Sequence, residues 1–360
     1  MVVSFGGPER REDVLPFLEN VLRGRNVPRS RLEEVAQHYD HFDGRSPIGA
    51  ATRAMIAALQ SELEAHGPAW RVYGGNRNWH PFLEDTLRQM ADDGVRRALA
   101  LVTSAFGSYS GCRQYLDDIE RARRAVGTRA PVVEKLRLFY NHPELIAIMA
   151  ERVAASEGHL IFTAHSIPTA MAAAGPYQQQ LAEACALVAT AAGRDHWRLA
   201  FQSRSGPPRQ PWLEPSLDTV LTAARAGGAD AVTIVPIGFL ADHMEVVFDL
   251  DVEARQRCAA LGLRMTRIKT ASDHARFPGL VRELILERTA STPRRALGPS
   301  PAWPDLCPAG CCQLEAAWKR HERYGRPLPP VEARPQATSG SDPAKSGEPP
   351  SAAAGTVRPG

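Results

Sequence analysis

The chain has 360 residues, 44% of them hydrophobic and 23% charged, with a formal net charge of +3. Such a composition is typical of a globular protein with a substantial core, organised as one large or two medium domains. The small net charge argues against nucleic acid as a partner. No stretch reaches about 18 uninterrupted apolar residues, and the first residues lack a basic region followed by an apolar run. We therefore expect a soluble cytoplasmic protein rather than an integral membrane protein.

Short apolar runs alternate along the chain with longer amphipathic stretches. The runs predict buried strands at 71–74, 98–103, 159–163, 198–202 and 231–239. The amphipathic stretches predict helices at 46–66, 81–93, 114–125, 143–156, 177–192 and 215–226. This alternation predicts an α/β fold of two similar doubly wound lobes with parallel sheets and a ligand cleft between them.

The composition also suggests where these units begin and end. We predict an N-terminal lobe at 1–130, a C-terminal lobe at 131–300 and a cysteine-bearing segment at 301–326. Residues 327–360 are rich in Pro, Gly, Ser and Ala and have no periodic apolar face, so we expect them to be disordered.

His165 follows directly after the apolar run of the predicted strand at 159–163. In α/β proteins, this end of a strand is where binding and catalytic sites are built. Its imidazole could accept a proton or bind a metal ion. The alternative is a core histidine whose ring is satisfied by backbone hydrogen bonds.

An acidic line follows the last predicted strand. Residues 241–253 predict a helix on which Glu245, Asp249 and Glu253 share one face, because a spacing of four residues drifts only slightly around a helix. Like charges so close repel one another unless solvated or bound to cations. Either the line is a solvated surface, or it guides a divalent cation, with Glu245 deepest. In the second case, His165 and Glu245 would form a catalytic pair.

Two other groups of residues are candidates for ligand contacts. Arg23 and Arg25 flank a glycine at the end of a helical pattern, where they could clamp carboxylates or simply stabilise the helix C-terminus. Several aromatic side chains could wall a flat apolar ligand, or could belong to the core: Phe5, Trp79, Tyr109, Tyr115 and Trp212.

Three clustered cysteines, Cys307, Cys311 and Cys312, lie just before the tail. Their spacing suggests an iron–sulfur or zinc site that lacks one ligand, although exposed free thiols are an alternative. Cys185 is our choice for the fourth ligand, ahead of Cys258 and Cys112.

At these residues the chain resembles the ferrochelatases, from Val2 to about Glu287. The matching blocks are Ser4-Phe-Gly-Gly-Pro, Leu22-Arg-Gly-Arg, Gly44-Arg-Ser-Pro-Ile, Tyr73-Gly-Gly-Asn-Arg-Asn-Trp-His-Pro-Phe, Thr163-Ala-His-Ser-Ile-Pro, Gln202-Ser-Arg-Ser-Gly-Pro-Pro with Pro211-Trp-Leu, and Ala241-Asp-His-Met-Glu. The resemblance implies a chelatase fold that holds a porphyrin in the cleft, with Fe²⁺ as the substrate metal. It also implies that His165 and Glu245 face the metal and that Asp249 and Glu253 continue the acidic face.

Within the family, the chain looks most like the actinobacterial coproporphyrin III ferrochelatases. The resemblance implies coproporphyrin III as substrate, coproheme as product, and a downstream enzyme of haem synthesis as a partner. We expect these residues at the porphyrin: Phe5, Arg23, Arg25, Arg77, Tyr109, Ser203 and Trp212. Phe5 stands where some relatives have a tyrosine that ligates the product iron, and Tyr109 is a candidate substitute. The resemblance also implies a [2Fe–2S] cluster on Cys307, Cys311 and Cys312, with Cys185 as fourth ligand.

Other functions remain open at this stage. The protein could be a protoporphyrin IX ferrochelatase, or a chelatase that loads cobalt or nickel into another tetrapyrrole. It could also be a porphyrin or haem carrier without catalytic activity, which would not need both His165 and the acidic line.

Overall fold

The computed structural model describes residues 1–24, 27–206 and 209–313. The predicted disordered tail at 327–360 therefore lies outside the described residues, as does the end of the cysteine-bearing segment. The described chain contains strands β1 (Val2–Ser4), β2 (Gly74–Asn76), β3 (Arg97–Val102), β4 (Val132–Lys135), β5 (His159–His165), β6 (Trp197–Gln202), β7 (Ala231–Val235) and β8 (Arg264–Arg267).

These strands form two four-stranded sheets, with the orders β2-β1-β3-β4 and β6-β5-β7-β8. Every pairing is parallel. The prediction of an α/β fold with doubly wound parallel sheets is thus confirmed. One detail of the predicted bounds differs: β4 pairs with β3 and belongs to the first sheet, although the boundary after residue 130 assigns it to the second lobe. The other domain bounds stay predictions.

Helices connect the strands and cover the sheets. They are α1 (Val14–Val21), α2 (Arg29–Asp40), α3 (Ile48–His66), α4 (Leu83–Asp92), α5 (Gln114–Val126), α6 (Pro143–Ala154), α7 (Thr169–Ala173), α8 (Tyr177–Ala191), α9 (Leu217–Ala226), α10 (Met244–Val247), α11 (Arg255–Leu261) and α12 (Phe277–Thr289). Two π-helical segments, Tyr109–Arg113 and Phe248–Ala254, precede α5 and α11. Such segments are rare in proteins overall, but those that occur are often found at functional sites. No helix in the described ranges is long and apolar enough to cross a membrane.

The topology places the carboxyl ends of β5 and β7 at a switch point. From β5 the chain first adds β6 on one side and then returns to add β7 on the other. The crevice outside such strand ends is where open α/β sheets bind ligands. His165 is the last residue of β5, and α10 begins soon after β7. The fold thus brings the histidine and the acidic line to the same crevice.

The buried core ties the two sheets together. Its largest cluster includes Val2 and Leu101 from the first sheet and Phe162 and Val235 from the second. A second cluster joins α1 and α2 to Met244 and other apolar residues at the start of the acidic line. A further cluster packs Val246 of α10 with Ile161 of β5. Packing on both sides thus fixes the position of α10 relative to β5, because close-packed interiors leave little freedom for movement.

Candidate active site

His165 is held in place by its backbone and its ring. In β5 it lies opposite Gln202 of β6, and its carbonyl accepts a hydrogen bond from the Tyr177 hydroxyl at 3.1 Å. The ring Nδ1 contacts the Ser166 carbonyl oxygen, which requires Nδ1 to carry a proton and donate it. Nε2 therefore points into the crevice, where it lies 3.3 Å from Oε2 of Glu245.

The structure brings His165 and Glu245 into contact, which their spacing in the sequence could not show. Their side chains are 31% and 42% exposed, as expected for groups that line an open crevice. Burial opposes a charge on the imidazole, but the Glu245 carboxylate outweighs it and raises the pKa of His165 to about 9. Burial likewise opposes ionisation of Glu245, but His165 outweighs it and lowers the pKa of that carboxyl. Both shifts favour an imidazolium and a carboxylate at neutral pH.

The acidic line differs from the continuous helix predicted for 241–253. Regular helix begins only at Met244, and Phe248–Ala254 form the π-helical segment that follows. Glu245 precedes this segment, whereas Asp249 and Glu253 lie within it. The wider turn changes the direction of side chains after Val247 relative to an α-helix, which a four-residue spacing does not reveal.

Asp249 is fixed by the end of the neighbouring strand β6. Its Oδ2 accepts a hydrogen bond from the Gln202 amide at 3.1 Å and another from the Ser203 hydroxyl. Ser203 has φ 61°, a left-handed conformation that is uncommon for a residue other than glycine. Burial and the Glu245 charge raise the pKa of Asp249 to about 7. Ser203 thus bonds a carboxylate of the acidic line, and its predicted contact with the porphyrin stays a prediction.

Glu253 lies at the exposed end of the line, and a histidine that the sequence analysis did not single out lies near it. The ring of His38 on α2 stacks on Phe248, with 4.0 Å between ring centroids and 5° between planes. Burial lowers the pKa of His38, and the charge of Glu253 opposes that shift. The available signal in the sequence was a pair of histidines three positions apart, His38 in α2 and His41 directly after it.

Aromatic side chains form one wall beside this line. Phe17 contacts Phe5 and Trp79, each at 6.2 Å between ring centroids. The guanidinium of Arg77 lies over the ring of Phe5. Its side chain is 2% exposed and forms an ion pair with Asp118. Nη2 of Arg77 has no hydrogen-bond partner among the described residues. Arg77 supports the wall from behind, and its contact with the porphyrin stays a prediction.

The remaining predicted porphyrin residues occupy different places. Trp212 is half-buried and pairs through its backbone with Pro168, close to His165, and its indole N–H has no hydrogen-bond acceptor among the described residues. Tyr109 begins the first π-helical segment and is half-buried. Arg23 is exposed just after α1 and bonds Asn20. Arg25 lies outside the described residues.

The cysteines form a separate group that corrects one prediction. Cys185 is fully buried on α8 within the main core, apart from the other cysteines. Cys112, in the first π-helical segment, instead contacts Cys307 through its thiol. Cys307 also contacts Cys311, whose Sγ lies 3.5 Å from that of Cys312. Sequence reasoning ranked Cys112 below Cys185 because nothing in the sequence indicates which distant loop the C-terminal segment meets.

The C-terminal thiols are fixed by backbone contacts. Cys312 donates its N–H to the Ala174 carbonyl at 2.9 Å. Gly175 approaches so closely that a Cβ there would lie 2.8 Å from Cys312 Sγ. Hydrogen bonds from the Cys112 and Cys311 thiols lower the pKa of Cys307. Among the described residues, we find no group of three or more His, Cys, Asp or Glu side chains that is arranged to hold a metal ion.

Fold and site together define a class: a doubly wound α/β protein with a histidine–carboxylate pair at the switch point of its second sheet. A family model described as "Ferrochelatase" matches residues 1–289. The chain is 50% identical over 323 residues to a "Ferrochelatase" of Rhodopirellula baltica, covering 87% of this chain and 92% of that protein. The chain therefore belongs to the ferrochelatase family.

Other relatives are named more narrowly. A "Coproporphyrin III ferrochelatase" of Nocardia farcinica is 50% identical over 335 residues, covering 87% of this chain and 95% of that protein. One from Mycobacterium marinum is 48% identical over 313 residues, covering 84% of this chain and 91% of that protein. Among solved structures, the cobalt complex of the sirohydrochlorin chelatase SirB from Bacillus subtilis has a TM-score of 0.48 and 13% identity, covering 67% of this chain and 92% of that chain.

Proposed function

We propose that this protein inserts Fe²⁺ into coproporphyrin III to form coproheme, with His165 and Glu245 at the point of insertion. The observation that carries the proposal is the 3.3 Å contact between His165 Nε2 and Glu245 Oε2 in the switch-point crevice. Insertion requires a cation to be delivered and two pyrrole protons to be removed. An imidazole in contact with a carboxylate offers a proton acceptor and a group that offsets the cation charge.

Proton transfer can follow the acidic line. The imidazolium of His165 must lose its proton before the ring can bind Fe²⁺ or accept a pyrrole proton. Asp249, whose pKa is raised to about 7, is suited to accept that proton near neutral pH. Glu253 lies beyond Asp249 at the exposed end, so protons can leave where the cation enters. Both pyrrole protons and the cation would then use one path.

The substrate class is supported by the relatives and by charge. Coproporphyrin III has four propionates, more than protoporphyrin IX, so cationic side chains near the crevice favour it. Arg23 is exposed after α1, whose apolar face packs in the same cluster as α10. The product coproheme would pass in the cytoplasm to a downstream enzyme of haem synthesis.

The test compares the two porphyrins as substrates. We expect kcat/KM for coproporphyrin III to exceed that for protoporphyrin IX, and the difference to shrink as salt screens the propionates. Arg23→Gln should reduce the preference, and Arg29→Gln, which removes a cation already paired with Glu19, is the matched control. Equal kcat/KM values for the two porphyrins would contradict a preference for coproporphyrin III and would favour a protoporphyrin IX ferrochelatase. Porphyrin binding without turnover would identify a carrier.

We further propose a [2Fe–2S] cluster on Cys112, Cys307, Cys311 and Cys312. The contacts from Cys112 through Cys307 and Cys311 to Cys312 bring four thiols together, which fits a cluster with four cysteine ligands. Because such a cluster has two irons, its ligands are shared between two centres. These residues would fasten the C-terminal segment to the loop at Ala174 and Gly175, so the cluster would act on stability.

Spectroscopy and iron content test the cluster. Protein purified without oxygen should be brown, with about two irons and two sulfides per chain. Cys112→Ser should lose the colour, and Cys185→Ser, which changes a cysteine buried elsewhere, is the matched control. If Cys112→Ser keeps the colour and Cys185→Ser loses it, Cys185 rather than Cys112 is the fourth ligand. A colourless wild-type protein containing zinc, or no metal, would refute the cluster.

A further inference from the structure

Arg267 joins two carboxylates that flank Glu245 and Asp249 in the sequence. It is the last residue of β8, and its side chain is 13% exposed. Nη1 and Nη2 donate to the two oxygens of Asp242, at 3.2 and 2.9 Å. Nε and Nη2 donate to the two oxygens of Asp251, at 2.8 and 2.9 Å. Because paired contacts between a guanidinium and a carboxylate are geometrically specific, one largely buried side chain holds this stretch of chain at two points.

The two aspartates can reach one guanidinium only in the observed backbone conformation. Asp242 precedes α10, whereas Asp251 lies in the π-helical segment that follows α10. They are nine positions apart, which in an unbroken α-helix is about two and a half turns and would place them on opposite sides. Arg267 therefore favours the late helix start and the wider π-helical turn over a continuous α-helix.

The residues between the two aspartates divide into a packed face and a crevice face. Val246 and Leu250 are fully buried in the core of the second sheet. Glu245 and Asp249 instead contact the ends of β5 and β6. Apolar packing is not directional, so burial of the first pair alone does not fix how the second pair is aimed. The directional hydrogen bonds of Arg267 supply that constraint.

We propose that Arg267 is a positioning residue for the delivery of Fe²⁺. Through Asp242 and Asp251 it holds the acidic line in the conformation whose carboxylates face the crevice. The inference rests on the proposed function, because that function assigns the acidic line to the cation. Arg267 acts through the two aspartates and not on the iron itself.

A role of Arg267 through its charge alone has the opposite consequence. Removal of a cation beside the acidic line makes the surroundings more negative, which attracts a divalent cation more strongly. The KM for Fe²⁺ would then fall. If Arg267 instead positions the carboxylates, its removal misplaces them and the KM for Fe²⁺ rises. The direction of the change thus separates the two roles.

The test is steady-state metallation without oxygen, with Fe²⁺ and porphyrin varied in turn. In Arg267→Met we expect the KM for Fe²⁺ to rise at least about tenfold, because small misplacements of acting groups are costly, and the KM for porphyrin to stay nearly unchanged. Arg267→Lys keeps the charge but lacks the planar fork, so it should fall between the wild type and Arg267→Met. Arg257→Met removes a cation of α11 that pairs with Asp218, and this matched control should keep the wild-type KM.

A second variant and a second measurement guard against loss of folding. Arg267→Met leaves two partly buried carboxylates without their partner, which is destabilising. The double variant Arg267→Met/Asp242→Asn removes one cation and one anion, so charge alone predicts an unchanged KM for Fe²⁺, whereas loss of positioning predicts a higher one. Hydrogen exchange of residues 244–254 reports the order of this segment without turnover. It should be faster in both variants and unchanged in Arg257→Met.

The outcomes separate this inference from the proposed function. A lower or unchanged KM for Fe²⁺ in folded Arg267→Met, or an unchanged KM in the double variant, would overturn the positioning role. Unchanged hydrogen exchange of residues 244–254 in these variants would overturn it as well. A wild-type protein that metallates no porphyrin would refute the proposed function, and hydrogen exchange would still decide whether Arg267 holds the segment.

Discussion

Ser203 offers a test of the proposal that the acidic line binds Fe²⁺. Its hydroxyl and the Gln202 amide donate to the same oxygen of Asp249. A hydrogen bond to a charged group contributes about 1.5–3 kcal/mol, and we take the lower end because water can reach this crevice. Ser203→Ala removes a donor that favours the ionised carboxylate, so the pKa of Asp249 should rise by about one unit, which corresponds to about 1.4 kcal/mol. Protons then compete more strongly with Fe²⁺, and Fe²⁺ binding near neutral pH should weaken by up to about tenfold.

Initial rates of coproheme formation at varied Fe²⁺ measure this effect. We expect the KM for iron to rise about tenfold in Ser203→Ala, with the KM for porphyrin nearly unchanged. Ser203→Gly relieves the left-handed backbone but also lacks the hydroxyl, so it should behave like the alanine variant. Ser203→Asn tolerates φ 61° and keeps a donor, so it should recover part of the loss. A changed KM for porphyrin with unchanged iron dependence would refute this reasoning and place Ser203 at the porphyrin.

Three further predictions follow from the structure. His165→Ala should reduce metallation at least about 100-fold with an unchanged melting temperature, and Glu245→Gln should lose a comparable amount; retention of most of kcat in either variant would contradict the pair. Arg137→Met leaves Glu287 buried without its partner and should lower the free energy of unfolding in urea by about 3–5 kcal/mol, much of which a second change, Glu287→Leu, should restore. Burial and Arg137 lower the pKa of His142 to about 4 from 6.5, so the unfolded chain binds the additional proton between these values. Stability should therefore fall by about 3 kcal/mol as the pH drops through that range, and equal acid sensitivity in His142→Asn would contradict this assignment.

The sequence predicts much of the fold because periodicity is local. The predicted helix at 143–156 corresponds to α6, where Pro143 opens the helix and the His142 ring accepts the N–H of Glu144. His165 was predicted at a strand end, and it is the last residue of β5. Glu245 follows β7, the strand that pairs with β5, and this position brings Glu245 and His165 together.

The features that could not be predicted from the sequence depend on contacts between distant parts of the chain. Ser203 contacts Asp249 only because its left-handed backbone turns the side chain towards the acidic line, and no spacing rule indicates that conformation. Arg77 pairs with Asp118 across 41 positions, and a single sequence does not indicate which carboxylate a buried arginine meets. Cys112 meets Cys307 for a similar reason, since that contact joins the first half of the chain to the C-terminal segment.

Metallation in the absence of oxygen tests most directly the proposal that His165 and Glu245 insert iron into coproporphyrin III. Purified protein is mixed with Fe²⁺ and coproporphyrin III, the Soret band is followed, and a pH indicator in weakly buffered solution counts the protons released. We expect catalytic conversion to coproheme with two protons released per ring, and no conversion above background in His165→Ala. An unchanged Soret band with the wild-type protein, or equal conversion by His165→Ala, would contradict it.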